Sequence, residues 1–268
     1  MASTAYNSYL KTDVLHSLQH QVTDDEGERS FLVICQIQEL YFSLISHDVT
    51  CAGVHLRNDR SGDAISSLQR ASSHFAGLCA TWRSLAWMLP ADFSAIKVGI
   101  TETCGRSSSL QSWKYRELLF RLGLKDARLV QELASMPAEC AQLRDAYDAP
   151  SVYQEALAMA RRRGYHISDV SDSRATDWSD VPDLSVTRFW SDVFASREPR
   201  DADLLGLGRA FLAIAEGLAK YKHLHYMTVL RTLGTRRGYY GQSGVEWLAK
   251  TLKQVPFLEL WATQLRGE

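Results

Sequence analysis

Phe211, Ile214, Leu218, Tyr221 and His225 recur at alternating three- and four-residue steps, which puts an imidazole on the apolar stripe of a helix. His223, two residues earlier, is turned by about 200° at ~100° per residue and points elsewhere. An imidazole on such a stripe is either a core histidine satisfied by a neighbouring carbonyl or the axial ligand of a buried metal or haem. Directly after this helix, LGTRRGYYGQSG carries Gly234, Gly238, Gly241 and Gly244. That composition suits a loop folded over a ligand and equally a plain helix-to-helix connection. Cys35, Cys51, Cys79, Cys104 and Cys140 are odd in number, scattered and without a CxxC pair, so neither a disulfide framework nor a zinc site is suggested. The thiols are expected to be reduced.

The elements that must position His225 are helical. Its own helix runs uninterrupted from Asp203 to Leu233, about eight turns at ~3.6 residues per turn, and stops at Gly234. Upstream, Phe31 to Val49 places Val33, Ile37, Leu40 and Leu44 at helical spacing with Gln36, Gln38, Ser43 and Asp48 between them, which predicts a buried amphipathic helix. A further helix is expected from Ala64 to Leu89, bounded by Asp63 and Pro90, after which LPADF restarts a short one with Asp92 near its cap. Ser107 to Leu122 follows, opened by serines that can cap and closed by Gly123. Pro137, Pro150 and SDVSDSRATDWSDVPD punctuate the middle, and this last stretch, around 168–184, is the candidate for a long exposed excursion. Neither a repeat nor a dividing linker is present, so residues 1–268 read as a single domain.

Composition agrees with an all-α helical bundle. The 16 Gly and 6 Pro are few for a chain of hairpins, and 46% hydrophobic with 23% charged residues is an ordinary globular balance. Thirty Lys+Arg against 31 Asp+Glu leave a net charge of −1, so no basic field exists to attract nucleic acid or an acidic membrane. MASTAYNSYLKTDVL lacks the apolar core of a signal peptide, and no run approaches the ~20 apolar residues of a membrane span. The expectation is a soluble, cytoplasmic protein.

Four blocks, YNSYLKTD, FLVICQIQELYFSLISHD, RSSSLQSWKYRELLFRLG and KYKHLHYMTVLRTLGTRRGYYGQSGVEWL, together resemble the tryptophan 2,3-dioxygenase superfamily of haem-dependent aromatic oxygenases. YNSYLKTD, from Tyr6 to Asp13, is similar to the family's YxxYLxxDxLL, and FLVICQIQELYFSLISHD to its FxxxHQxxELWFKxxxHE. RSSSLQSWKYRELLFRLG is similar to ASGFQSxQFRxxExxxG, and KYKHLHYMTVLRTLGTRRGYYGQSGVEWL to WRxxHxxxVERxIGxxxGTGGTSGxxYL. In order, the blocks span Tyr6 to Leu248. The resemblance implies a helical bundle enclosing haem b, with His225 as proximal ligand, the histidine already selected by helical phase. It implies that Phe31, Trp82 and Phe93 line a pocket for an aromatic amino acid, and that Tyr6 and Tyr9 reach into a neighbouring subunit's site, hence a dimer or tetramer.

Three departures from the family pattern bear on the reaction. The distal histidine is replaced by Cys35, a weak hydrogen-bond donor. The arginine that clamps the substrate carboxylate falls on Lys97, an ammonium point charge in place of a bidentate fork, and Arg106 is a second candidate for that role. The glycine-loop threonine falls on Tyr239. On this reading the chain is an oxidoreductase that oxygenates tryptophan or a substituted tryptophan with O2 or peroxide, inserting one oxygen atom in specialised metabolism to give an oxindole or hydroxylated product. The alternatives are ring opening to N-formylkynurenine, a haem-dependent tyrosine hydroxylase, a haem-binding or sensing protein without catalysis, and a helical structural protein without haem.

Overall fold

The computed structural model describes residues 4–105, 111–169, 172, 181–234 and 244–263. Among them every regular element is helical and no β-strand occurs, as the composition predicts. Helices α1 (Ala5–Leu10) and α2 (Thr12–His16) form an N-terminal arm without a buried residue. Glu28 then pins the next turn, its carboxylate accepting the Val22 and Thr23 amides at 2.7 and 2.6 Å. The same charge faces the unpaired amides at the start of α3 (Glu28–Arg57).

In α3 the buried face is not the one that apolar spacing selects. Leu40 and Leu44 are 62% and 41% exposed, whereas Gln38, Phe42, Ile45, Asp48 and Val49 are buried. Counting apolar residues mis-phases this helix because inward positions such as Gln38 and Asp48 are polar and find partners elsewhere in the chain. Gln38 donates to the Thr81 hydroxyl at 2.9 Å. Asp48 accepts from Arg70 at 3.1 and 3.2 Å and lies 3.3 Å from the His74 imidazole.

Helix α4 (Ser61–Thr81) begins two residues before Asp63, without a side-chain cap, and ends well before Leu89. It tightens into a 3-10 turn over Trp82–Leu85, and α5 starts at Pro90. The restricted residue before proline explains the break: Leu89 is extended at φ −91°, ψ 167°. Asp92 caps α5 (Pro90–Cys104) as expected, accepting the Leu89 amide at 2.8 Å. Helix α6 (Trp113–Arg121) is capped by Ser112, which accepts the Tyr115 amide at 3.1 Å, and the chain leaves it at Gly123 with φ 90°. Ser107, Ser108 and Ser109 lie outside the described residues.

Helices α7 (Ala127–Gln131), α8 (Pro137–Asp148), α9 (Val152–Arg162) and α10 (Leu184–Ala195) complete the middle of the chain. Most of the excursion expected around 168–184 lies outside the described residues, but Asp172 is buried and pairs with Lys125 at 2.7 Å, so that point is anchored and not exposed. Asp183 caps α10 through the Ser185 and Val186 amides at 2.8 and 3.0 Å. The longest element is α11 (Ala202–Leu233), 32 residues ending at Gly234 with φ 58°. Two short helices, α12 (Gly244–Thr251) and α13 (Leu258–Ala262), follow.

Helix α4 packs against both α3 and α11. Ile45, Val49 and Leu56 of α3, Leu68, Phe75 and Leu78 of α4, and Phe211, Ile214 and Leu218 of α11 are each no more than 1% exposed. The close approach of α4 to α11 requires Gly217, where a Cβ would sit 2.8 Å from Phe75 Cβ and 2.9 Å from its Cγ. Gly217→Ala gains about 1 kcal/mol of helix propensity, against about 1–3 kcal/mol for overpacking a filled core. The obstructing atoms belong to the root of the Phe75 side chain and cannot swing aside, so the clash wins. Guanidinium unfolding is expected to show a lower midpoint for Gly217→Ala, and an unchanged or higher midpoint would disprove the contact.

Candidate functional site

Rings from four elements converge on the His225 turn of α11. The His225 imidazole stacks on the Trp82 indole with centroids 5.0 Å apart and planes at 15°. Tyr221, one turn back, lies 6.2 Å from His225 and 5.8 Å from Trp82. It also contacts Phe42 of α3 at 5.5 Å and Tyr115 of α6 at 5.9 Å. Trp82 occupies this place because its 3-10 turn is tied at both ends. Thr81 receives the bond from Gln38 on α3, and Arg231 of α11 donates to the Leu85 carbonyl at 2.9 Å.

The electrostatics keep this cluster neutral. His225 is half-buried, and burial lowers its pKa to about 4, so at neutral pH the imidazole is uncharged. His223 is exposed, as its phase requires. Burial raises the Tyr115 hydroxyl well above its usual value, beyond the range in which it ionises. Tyr221 is raised by burial first, then by Tyr115 and Cys35. Burial and the Glu39 carboxylate push the Cys35 thiol up to about 12, so it stays protonated and cannot serve as a base.

Beside the ring cluster, α3 and α5 present two pairs at one-turn spacing. Phe31 and Cys35 share a face of α3, and Phe93 and Lys97 share a face of α5. The Phe31 and Phe93 rings meet edge to face at 5.9 Å, so these faces oppose each other. Lys97 is half-buried. Tyr6 and Tyr9 are 68% and 86% exposed on the N-terminal arm, outside this cluster. Arg106 and Tyr239 lie outside the described residues. Phe42, Tyr115 and Glu39 join the site without having been selected from sequence. The available signals were Tyr115 three residues after a capping serine and Glu39 one turn beyond Cys35.

Chemically, His225 is a single neutral nitrogen donor in an aromatic setting. Among the described residues no three His, Cys, Asp or Glu side chains converge on one point, so a metal held here must bring its remaining ligands with it, as porphyrin-bound iron does. The Trp82 Nε1 is buried without a hydrogen-bond partner, an orphaned donor that a group from outside the chain could satisfy. Both observations fit haem. A separate cleft of about 730 Å³, lined by Ser168, Asp183 and Arg188 among others, shares no lining residue with the ring cluster and carries none of this chemistry.

An all-α bundle with one neutral imidazole stacked among aromatic rings has a donor that a haem-dependent oxidoreductase could use. The profile described as tryptophan 2,3-dioxygenase matches residues 1–138. The chain is 34% identical over 262 residues to tryptophan 2,3-dioxygenase 1 of Ralstonia nicotianae, covering 97% of this chain and 86% of that one. It is 33% identical to the tryptophan 2,3-dioxygenase of Cupriavidus necator, with 96% and 86% coverage, and 32% identical to that of Caulobacter vibrioides, with 97% of each covered. The chain therefore belongs to the tryptophan 2,3-dioxygenase family. Among the described residues no helix is long and apolar enough to cross a membrane.

Proposed function

We propose that this chain is a haem-dependent oxygenase of tryptophan that adds both atoms of O2 to the indole ring and opens it. The observation that carries this reading is His225, neutral, stacked on Trp82 and placed on the inward stripe of the longest helix. His225 would hold haem b, which when bound would supply the iron chemistry with O2. The chain's own residues bind and orient. Phe31 and Phe93 pack the indole, while Lys97, with Arg106 as the second candidate, offsets the carboxylate charge as the zwitterion leaves water. Tyr239 takes the place of the family's threonine toward the amino-acid end. Residues 1–268 act as one domain, and Tyr6 and Tyr9 serve a neighbouring copy in a dimer or tetramer, which accounts for two aromatics left on the surface.

A second reading, insertion of one oxygen atom, rests on Cys35. A protonated thiol accepts poorly from an indole N–H, so the ring is oriented by packing and by the charged end alone. The relatives, all named tryptophan 2,3-dioxygenase, favour the two-atom outcome. Substrate choice is tested by titrating the haem-loaded protein with tryptophan and with tyrosine. Tryptophan is expected to shift the Soret band saturably and tyrosine to leave it unmoved. A shift with tyrosine alone would replace this reading with phenol hydroxylation.

A further inference from the structure

The five cysteines show no CxxC pair, but α3 brings one of them, Cys51, beside a histidine. His47 and Cys51 are four residues apart on this helix, and the imidazole Nε2 lies 3.6 Å from the Cys51 Sγ. On a tetrahedral zinc ion with Zn–N ~2.05 Å and Zn–S ~2.3 Å, a nitrogen and a sulfur ligand are separated by about 3.5 Å. The two side chains therefore already stand at the bite of a bidentate zinc chelate.

We propose that His47 and Cys51 form a surface site for a borderline-soft divalent cation of the zinc class, separate from the haem. His47 is exposed and Cys51 half-buried, so an ion reaches them from solvent. Cys51 is 16 residues beyond Cys35 on α3, about 24 Å at a rise of ~1.5 Å per residue. Among the described residues no third His, Cys, Asp or Glu completes a cluster, so water fills the remaining positions and binding is weaker than at a closed four-ligand site. His55, one turn further on, has a buried Nδ1 without a hydrogen-bond partner, but it does not join the pair. As the Zn–S bond forms, the S–H bond breaks and its proton goes to solvent, with no change of oxidation state. Affinity therefore rises with pH across the neutral range.

The test uses the haem-loaded full chain, zinc chloride as probe and iodoacetamide alkylation mapped by mass spectrometry, with Cys104, which is exposed, as internal control. Zinc is expected to slow alkylation of Cys51 by about 10-fold or more, reversibly with a chelator, and to leave Cys104 unaffected. His47→Ala, a change at an exposed position, should remove the protection, and His55→Ala should preserve it. Equal alkylation of Cys51 with and without zinc, or protection that survives His47→Ala, would show that the contact is only a thiol-to-imidazole hydrogen bond. Protection lost in His55→Ala would overturn the two-ligand site.

Discussion

His225→Ala is expected to lose stable haem binding, while His223→Ala keeps an unaltered Soret band. The two histidines are separated by two residues on one helix, yet one stacks on Trp82 within the ring cluster and the other is exposed. Removing the exposed ring costs little, whereas removing the stacked one takes away the single nitrogen donor the cluster offers. Added imidazole should restore a histidine-like spectrum to His225→Ala, which separates loss of the ligand from loss of the fold. If His223→Ala were the variant that lost haem, the assignment by helical phase would be wrong.

Lys97→Met is expected to weaken tryptophan binding with little change in the haem spectrum. A charged hydrogen bond to a carboxylate is worth about 1.5–3 kcal/mol, or about 10- to 150-fold in Kd. Lys97 is half-buried, so the lower end of that range applies. The lysine lies one turn from Phe93, whose ring meets Phe31, so a substrate ring held there brings its charged end toward α5. Anaerobic titration of the Soret shift gives Kd directly. An unchanged Kd in Lys97→Met would remove Lys97 from the clamp and leave Arg106 as the remaining candidate.

The sequence makes α11 and His225 plain because the inward positions on that helix before the histidine are apolar or aromatic but for Lys222, which donates to the Thr251 and Gln254 carbonyls, so periodicity still has one solution. It mis-phases α3 because Gln38 and Asp48 are inside with partners on α4, at Thr81, Arg70 and His74, that no local pattern announces. Trp82 is legible as an aromatic position, but its stacking on His225 depends on a 3-10 turn held by Gln38 through Thr81 and by Arg231, 149 residues from Trp82. Cys35 is visible as a departure from the family pattern. That it stays protonated follows only from its burial and from Glu39, which the fold brings into play.

The most direct test is the mass of the product formed from tryptophan when the reduced, haem-loaded protein turns over under isotopically labelled O2. The expected result is an N-formylkynurenine-type product carrying both labelled oxygen atoms. A main product carrying one labelled atom, or no labelled product at all, would contradict it.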